Sequence, residues 1–75
     1  MTDTKWASQA EQLINDGMAD PYGYPTREQS ARAALNAVAY NIALDLTTGA
    51  EVTPGQRGRF AALDAIVKAE EASRA

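Results

Sequence analysis

TREQSARAALNAVAYNIALDLTTG, residues 26–49, is the stretch that decides the fold. Thr26 stands three positions before Gln29, the spacing of a capping box, in which each side chain satisfies the other's backbone donor. Gly49 follows Thr47 and Thr48 as a fitting stop, since glycine adopts the left-handed conformation that ends many helices. Between these signals Ala31, Leu35, Val38, Ile42 and Leu46 recur at helical spacing as one apolar stripe. Ala33, Ala37, Tyr40 and Leu44 form a second stripe about half a turn away. A helix apolar on both sides is normally buried in the middle of something. Here that is its own flanking helices, a second copy or a partner. The flanking helices carry enough apolar surface to cover both stripes, so the expectation is a most-buried central helix with Leu35, Val38 and Ile42 facing the core.

Working outward, a first helix is expected over about 4–17, capped by Thr2, Asp3 or Thr4 and stopped by Gly17. Trp6, Ala10, Leu13, Ile14 and Gly17 share its apolar face. Met18 to Pro25 is dense in turn formers and reads as a loop. A third helix is expected over about 54–73, with Thr53 and Gln56 as a second capping box and Pro54 at the first helical position. Phe60, Leu63, Ile66 and Val67 form its large apolar face. Gly58, Ala62, Ala65 and Ala69 form a small-residue stripe suited to close packing on Ala33 and Ala37. Glu28–Arg32, Asp64–Lys68 and Glu70–Arg74 have the spacing of ion pairs on solvated faces, and Glu70 and Glu71 read as a solvated tail. The fold expected is all-α: residues 1–75 as one small three-helix bundle with a central helix, about 27–48, apolar on two faces.

Seventy-five residues bury a small core, which is usually supplemented by disulfides, metals or association. Cysteine and histidine are both absent, which removes disulfides, thiolate zinc sites and the commonest general base. No cofactor and no metal site is expected, and self-association into a homodimer becomes a natural supplement. Ten acidic against seven basic residues give a net charge of −3, which disfavours nonspecific attraction to nucleic acid or anionic lipid. No apolar run approaches the roughly 20 residues that span a bilayer, and Met1 to Trp6 lack the basic-then-apolar pattern of a signal peptide. A cytoplasmic protein with no membrane partner is therefore expected. Arginine over lysine and abundant alanine suit a GC-rich genome, bacterial or phage; if phage-encoded, the protein would act in the host cytoplasm.

Two segments are least explained by building helices. Tyr22 and Tyr24 lie on a proline-stiffened loop, where rigid aromatic rings add contact area at low entropic cost. Gly55 to Arg59 combines a helix start, two glycines and the arginines Arg57 and Arg59, groups that together could hold a phosphate or carboxylate, although the Walker A ending is missing. The expected function is a small non-catalytic protein-binding module, an accessory or inhibitory protein of the phage or mobile-element type, with an anti-defence role among the options. Its partner-binding residues are expected to be Tyr22, Tyr24, Arg57 and Arg59. The alternative is a small dimeric nucleic-acid-binding regulator using arginines near the third helix. It is less favoured because the connection from Thr47 to Pro54 exceeds a helix-turn-helix turn and the third helix lacks a polar recognition face.

Overall fold

A computed structural model describes residues 4–74 as three helices: α1 (Thr4–Ala19), α2 (Arg27–Thr48) and α3 (Pro54–Arg74). Every helix packs against the other two, and no strand occurs among the described residues. The protein is a small all-α three-helix bundle.

The predicted start and stop signals set these boundaries. Thr26 is extended (φ −123°, ψ 155°) and its Oγ accepts from the Gln29 N–H at 3.2 Å. Gly49 takes φ 80° and closes a Schellman turn in which the Ala50 N–H donates to the Asp45 carbonyl at 2.8 Å. At the α3 start both halves of the capping box form. The Gln56 N–H donates to Thr53 Oγ1 at 3.1 Å, and the Thr53 N–H donates to Gln56 Oε1 at 2.8 Å. The same Gln56 side chain donates to Asp45 Oδ2 at 2.7 Å, clipping α3 to α2.

The first helix does not stop at Gly17 but continues to Ala19. Gly17 serves a close approach instead: a Cβ there would collide with the Ser30 hydroxyl of α2. Its carbonyl still takes part in closing the loop, accepting from the Tyr24 N–H at 3.0 Å. Of the candidate caps, Thr2 and Asp3 lie outside the described residues and Thr4 is the first helical residue.

The core is Ala10 and Ile14 of α1, Ala31 of α2, and Leu63 and Val67 of α3, all buried. Leu35 and Val38 pack against it, half-buried. The expectation that α2 is the most buried helix is overturned. It holds two buried residues, Ser30 and Ala31, both in its first turns, no more than α1 with Ala10 and Ile14 or α3 with Leu63 and Val67. Ile42 is half-buried at the edge of a groove rather than in the core. The second stripe is not covered by α1 or α3, and Tyr40 remains 68% exposed. Geometry explains this. Because α1 and α3 also pack against each other, both lie on one side of α2 and the opposite stripe is left open. The core lies toward the end where α1 stops and α2 begins.

That end is also tied by charge. Arg27 donates to both Glu11 oxygens, at 2.7 and 2.5 Å, and its Nε lies 3.7 Å from Glu70. Arg32 bridges Glu28 at 3.4 Å and Glu71 at 3.0 Å. Glu70 and Glu71 are therefore not a solvated tail, because they join α3 to α2. The side chain of Arg74, the expected partner of Glu70, lies outside the described residues.

Two outcomes follow for stability. Ile14→Ala or Leu63→Ala should each cost about 2–5 kcal/mol in urea melts, and Leu35→Ala, being only half-buried, clearly less. The Arg27 hydrogen bonds hold the Glu11 carboxyl below its ordinary value near 4.5, outweighing the desolvation that raises it. A lowered carboxyl contributes stability above its unfolded value and loses it as pH falls through the folded one. Acid titration of stability should therefore show a loss beginning below about pH 4.5 that is flattened in Glu11→Gln. At neutral pH that variant should be less stable by about 1 kcal/mol or less, since both side chains are solvent-screened.

Candidate functional site

The α3 start is occupied by the protein itself. Trp6 of α1 lies across Gly55 and Gly58, one turn apart on α3. A Cβ at Gly58 would come within 2.5 Å of Trp6 Cδ1, and one at Gly55 within 3.3 Å of the ring edge. These glycines make room for an indole, not for a phosphate. The small-residue stripe that begins at Gly58 does not seat Ala33 and Ala37 either, for Ala65 and Ala69 are exposed.

The two arginines of this segment point to different sides of α3. Arg59 places its guanidinium 6.0 Å from the Trp6 ring centre and donates to Gln9 Oε1 at 3.2 Å, so it braces α3 against α1. Arg57 lies on the rim of a groove on the α2 side. They do not converge on one anion. Arg27 and Arg32, at the opposite end of the bundle, are engaged by carboxylates, so the four arginines form no common basic patch.

The tyrosine loop is remote from Gly55–Arg59. Trp6 marks one end of α1 and Gly17 the other, about 16 Å apart along the helix. Within the loop, Asp20 Oδ1 accepts from the Tyr22 N–H at 2.9 Å, and the Asp20 carbonyl accepts from the Gly23 N–H at the same distance. This turn leaves the Tyr22 ring 96% exposed. Tyr24 instead lays its ring beside Gly17 and Ser30, closing that end of the bundle. Of the four expected contact residues, Tyr22 and Arg57 are thus presented to solvent without a partner, whereas Tyr24 and Arg59 have work within the fold.

Sequence reading did not single out the groove itself. It is an open channel of about 440 Å³ between the second half of α2 and the start of α3. Ala39, Ala43, Ile42 and Leu46 of α2, with Val52 and Phe60, form its walls, and Arg57 is its only charged residue. Ala39, Ala43 and Leu46 follow at i, i+4 and i+7, so the signal was present in the sequence as a third apolar phase of α2. The small floor comes from the alanines. The raised edge comes from Leu46, 66% exposed, and the half-open Phe60.

Among the described residues no cluster of acidic side chains is placed to hold a metal, and no helix is long and apolar enough to cross a membrane. No protein-family model matches the chain, and no curated protein or solved structure is detectably similar to it.

Gly58→Ala tests the indole seat. A methyl group there must displace Trp6, so the variant should lose about 1–3 kcal/mol and shift tryptophan emission toward that of a wetter ring. An unchanged spectrum and melting curve would mean that Trp6 does not sit on Gly58.

Proposed function

We propose that this chain is a non-catalytic protein-binding module, of the accessory or inhibitory kind, that docks a partner protein through the groove between α2 and α3. The observation that carries this is an apolar channel with a single unpaired cation on its rim. Helix-in-groove recognition uses this combination, with anchors at helical spacing lying on an apolar floor. Arg57 selects among such helices by favouring one with a carboxylate beside its apolar face. The side-chain inventory supports the same reading, because without histidine or cysteine the commonest general base and the most nucleophilic side chain are both missing. A cytoplasmic site of action, in a host cell if the chain is phage-encoded, belongs to the same proposal. The opposite face of α2 is left to a second copy, so the docking unit is a dimer carrying two grooves.

The test is affinity capture from the native host's lysate with four baits: parent, Leu46→Glu, Arg57→Glu and Tyr22→Ala. All three substituted positions are exposed, so helicity and melting should match the parent. One protein should be retained by the parent and by Tyr22→Ala, and weakened at least about tenfold, about 1.4 kcal/mol, by each groove variant. Loss with Tyr22→Ala alone would move the surface to the loop at the far end. Retention only of nucleic acid, falling steeply with salt, would instead support the regulator reading.

A further inference from the structure

The outer face of α2 is built to meet itself. Ala33, Ala37, Tyr40 and Leu44 are spaced four, three and four residues apart, the alternation of a two-helix seam. The stripe is graded along its length: two small residues at one end, two large ones at the other. Tyr40 is 68% and Leu44 47% exposed, so the large end stands out from the surface. The small end is recessed. Ala33 lies on the wall of a depression of about 230 Å³ formed with Leu13, Gly17 and Tyr24.

Charge does not oppose contact here, although the whole chain carries −3. From Ala33 to Thr48 the only charged residue is Asp45, and its carboxylate is turned away to accept from Gln56 of α3. Asn36 and Thr47, near neighbours of the stripe, are neutral and polar, and Arg32, which borders Ala33 at the small end, is already paired with Glu28 and Glu71. A partner of opposite charge would find nothing on this face to recognise, whereas a second copy brings no repulsion to it.

The molecule as a whole also leaves more surface open than its size requires. The chain exposes 5162 Å², where a monomer of its 8.0 kDa is expected to expose about 4500 Å². Its radius of gyration, 12.8 Å, exceeds the roughly 11.4 Å of a compact 75-residue domain. The excess, about 700 Å², is spread over the whole surface, the α2–α3 groove included, and the outer face of α2 carries part of it.

We propose that two copies of this chain pair through the outer faces of α2 in antiparallel orientation, with Ala37 opposite Tyr40 and Ala33 opposite Leu44 of the second copy. The twofold axis then lies between Ala37 and Tyr40, and each contact occurs twice, as an isologous interface requires. Large side chains meet small ones throughout, and Leu44 of the second copy arrives at the depression beside Ala33. Parallel pairing would set Tyr40 against Tyr40 and leave the two alanine ends apart. The pairing does not depend on what fills the α2–α3 groove, which lies on another side of the helix.

Sedimentation equilibrium over protein concentrations from about 5 µM to about 1 mM reads the assembly directly, since it brackets micromolar affinities. The mass should rise from the 8.0 kDa of the chain toward twice that value. Tyr40→Lys, at an exposed position, should stay at the lower mass throughout with unchanged helicity. The absence of cysteine gives a second reading of register. Ala37→Cys and Tyr40→Cys proteins, mixed and oxidised, should form mainly the mixed disulfide, because bridged Cα atoms must lie within about 7 Å. A parent that remains monomeric at every concentration overturns the pairing, while leaving groove capture of a partner untouched. A dimer indifferent to Tyr40→Lys, or one giving only 37–37 and 40–40 disulfides, overturns the face or the orientation. A dimer of the predicted kind whose groove captures nothing would instead remove the docking function and keep the pairing.

Discussion

The contact of α1 with α2 at Gly17 and Ser30 sets the geometry on which the rest of the bundle depends. Ser30 is 2% exposed, and its hydroxyl donates to the Ile14 carbonyl at 2.8 Å. A buried hydroxyl must find such an acceptor, and this one finds it across the helix pair. The approach is possible only because Gly17 has no side chain. Small residues continue the contact inward, since Ala10 and Ala31 are both fully buried. Leu63 and Val67 of α3 then fill the remaining space from the third side. The Tyr24 N–H, bonded to the Gly17 carbonyl, and the Arg27 clamp on Glu11 and Glu70 close the same end.

Concentrating the core at one end has a cost at the other. The second half of α2 is held by α3 through the Asp45–Gln56 bond and the buried Val52 of the linker, with Trp6 and Arg59 bracing α3 from the α1 side. These contacts fix the helix but cover only part of it. Its apolar side chains face outward in two directions: into the groove that ends at Arg57, and along the stripe from Ala33 to Leu44. On the proposed reading these are the two surfaces through which the domain meets its partners. The electrostatics agree, because the paired charges gather at the opposite end and leave this half nearly neutral.

Helix boundaries were legible because they are written in local chemistry. Thr26, Gly49, Thr53 and Gln56 cap their helices within a turn of themselves, although Gln56 also reaches Asp45 of α2, which no local pattern foretold. The two apolar stripes of α2 were equally plain, but which would be covered was not. That depends on whether α1 and α3 pack against each other or on opposite sides of α2, which no periodicity within one helix records. Ambiguity also governed Gly55 and Gly58, where a glycine-rich helix start reads alike whether it seats an anion or an indole. Trp6 lies far away in sequence, before the whole of α2, so no local pattern could pair them. Arg57 and Arg59 illustrate the remaining difficulty: two residues apart on a helix they point to different sides, and only the packing shows that Arg59 is engaged and Arg57 free.

The measurement that bears most directly on this account is the stability of Gly17→Ala, alone and combined with Ser30→Ala. Inside an exposed stretch of helix, replacing glycine by alanine stabilises by about 0.5–1 kcal/mol. At position 17 the sign should reverse, because the new methyl group collides with the Ser30 hydroxyl and forces α1 away from α2. In the double variant the colliding oxygen is gone, so much of that loss should be recovered. A Gly17→Ala protein more stable than its parent, or a double variant whose loss is simply the sum of the two single ones, would contradict the placement of the α1–α2 contact.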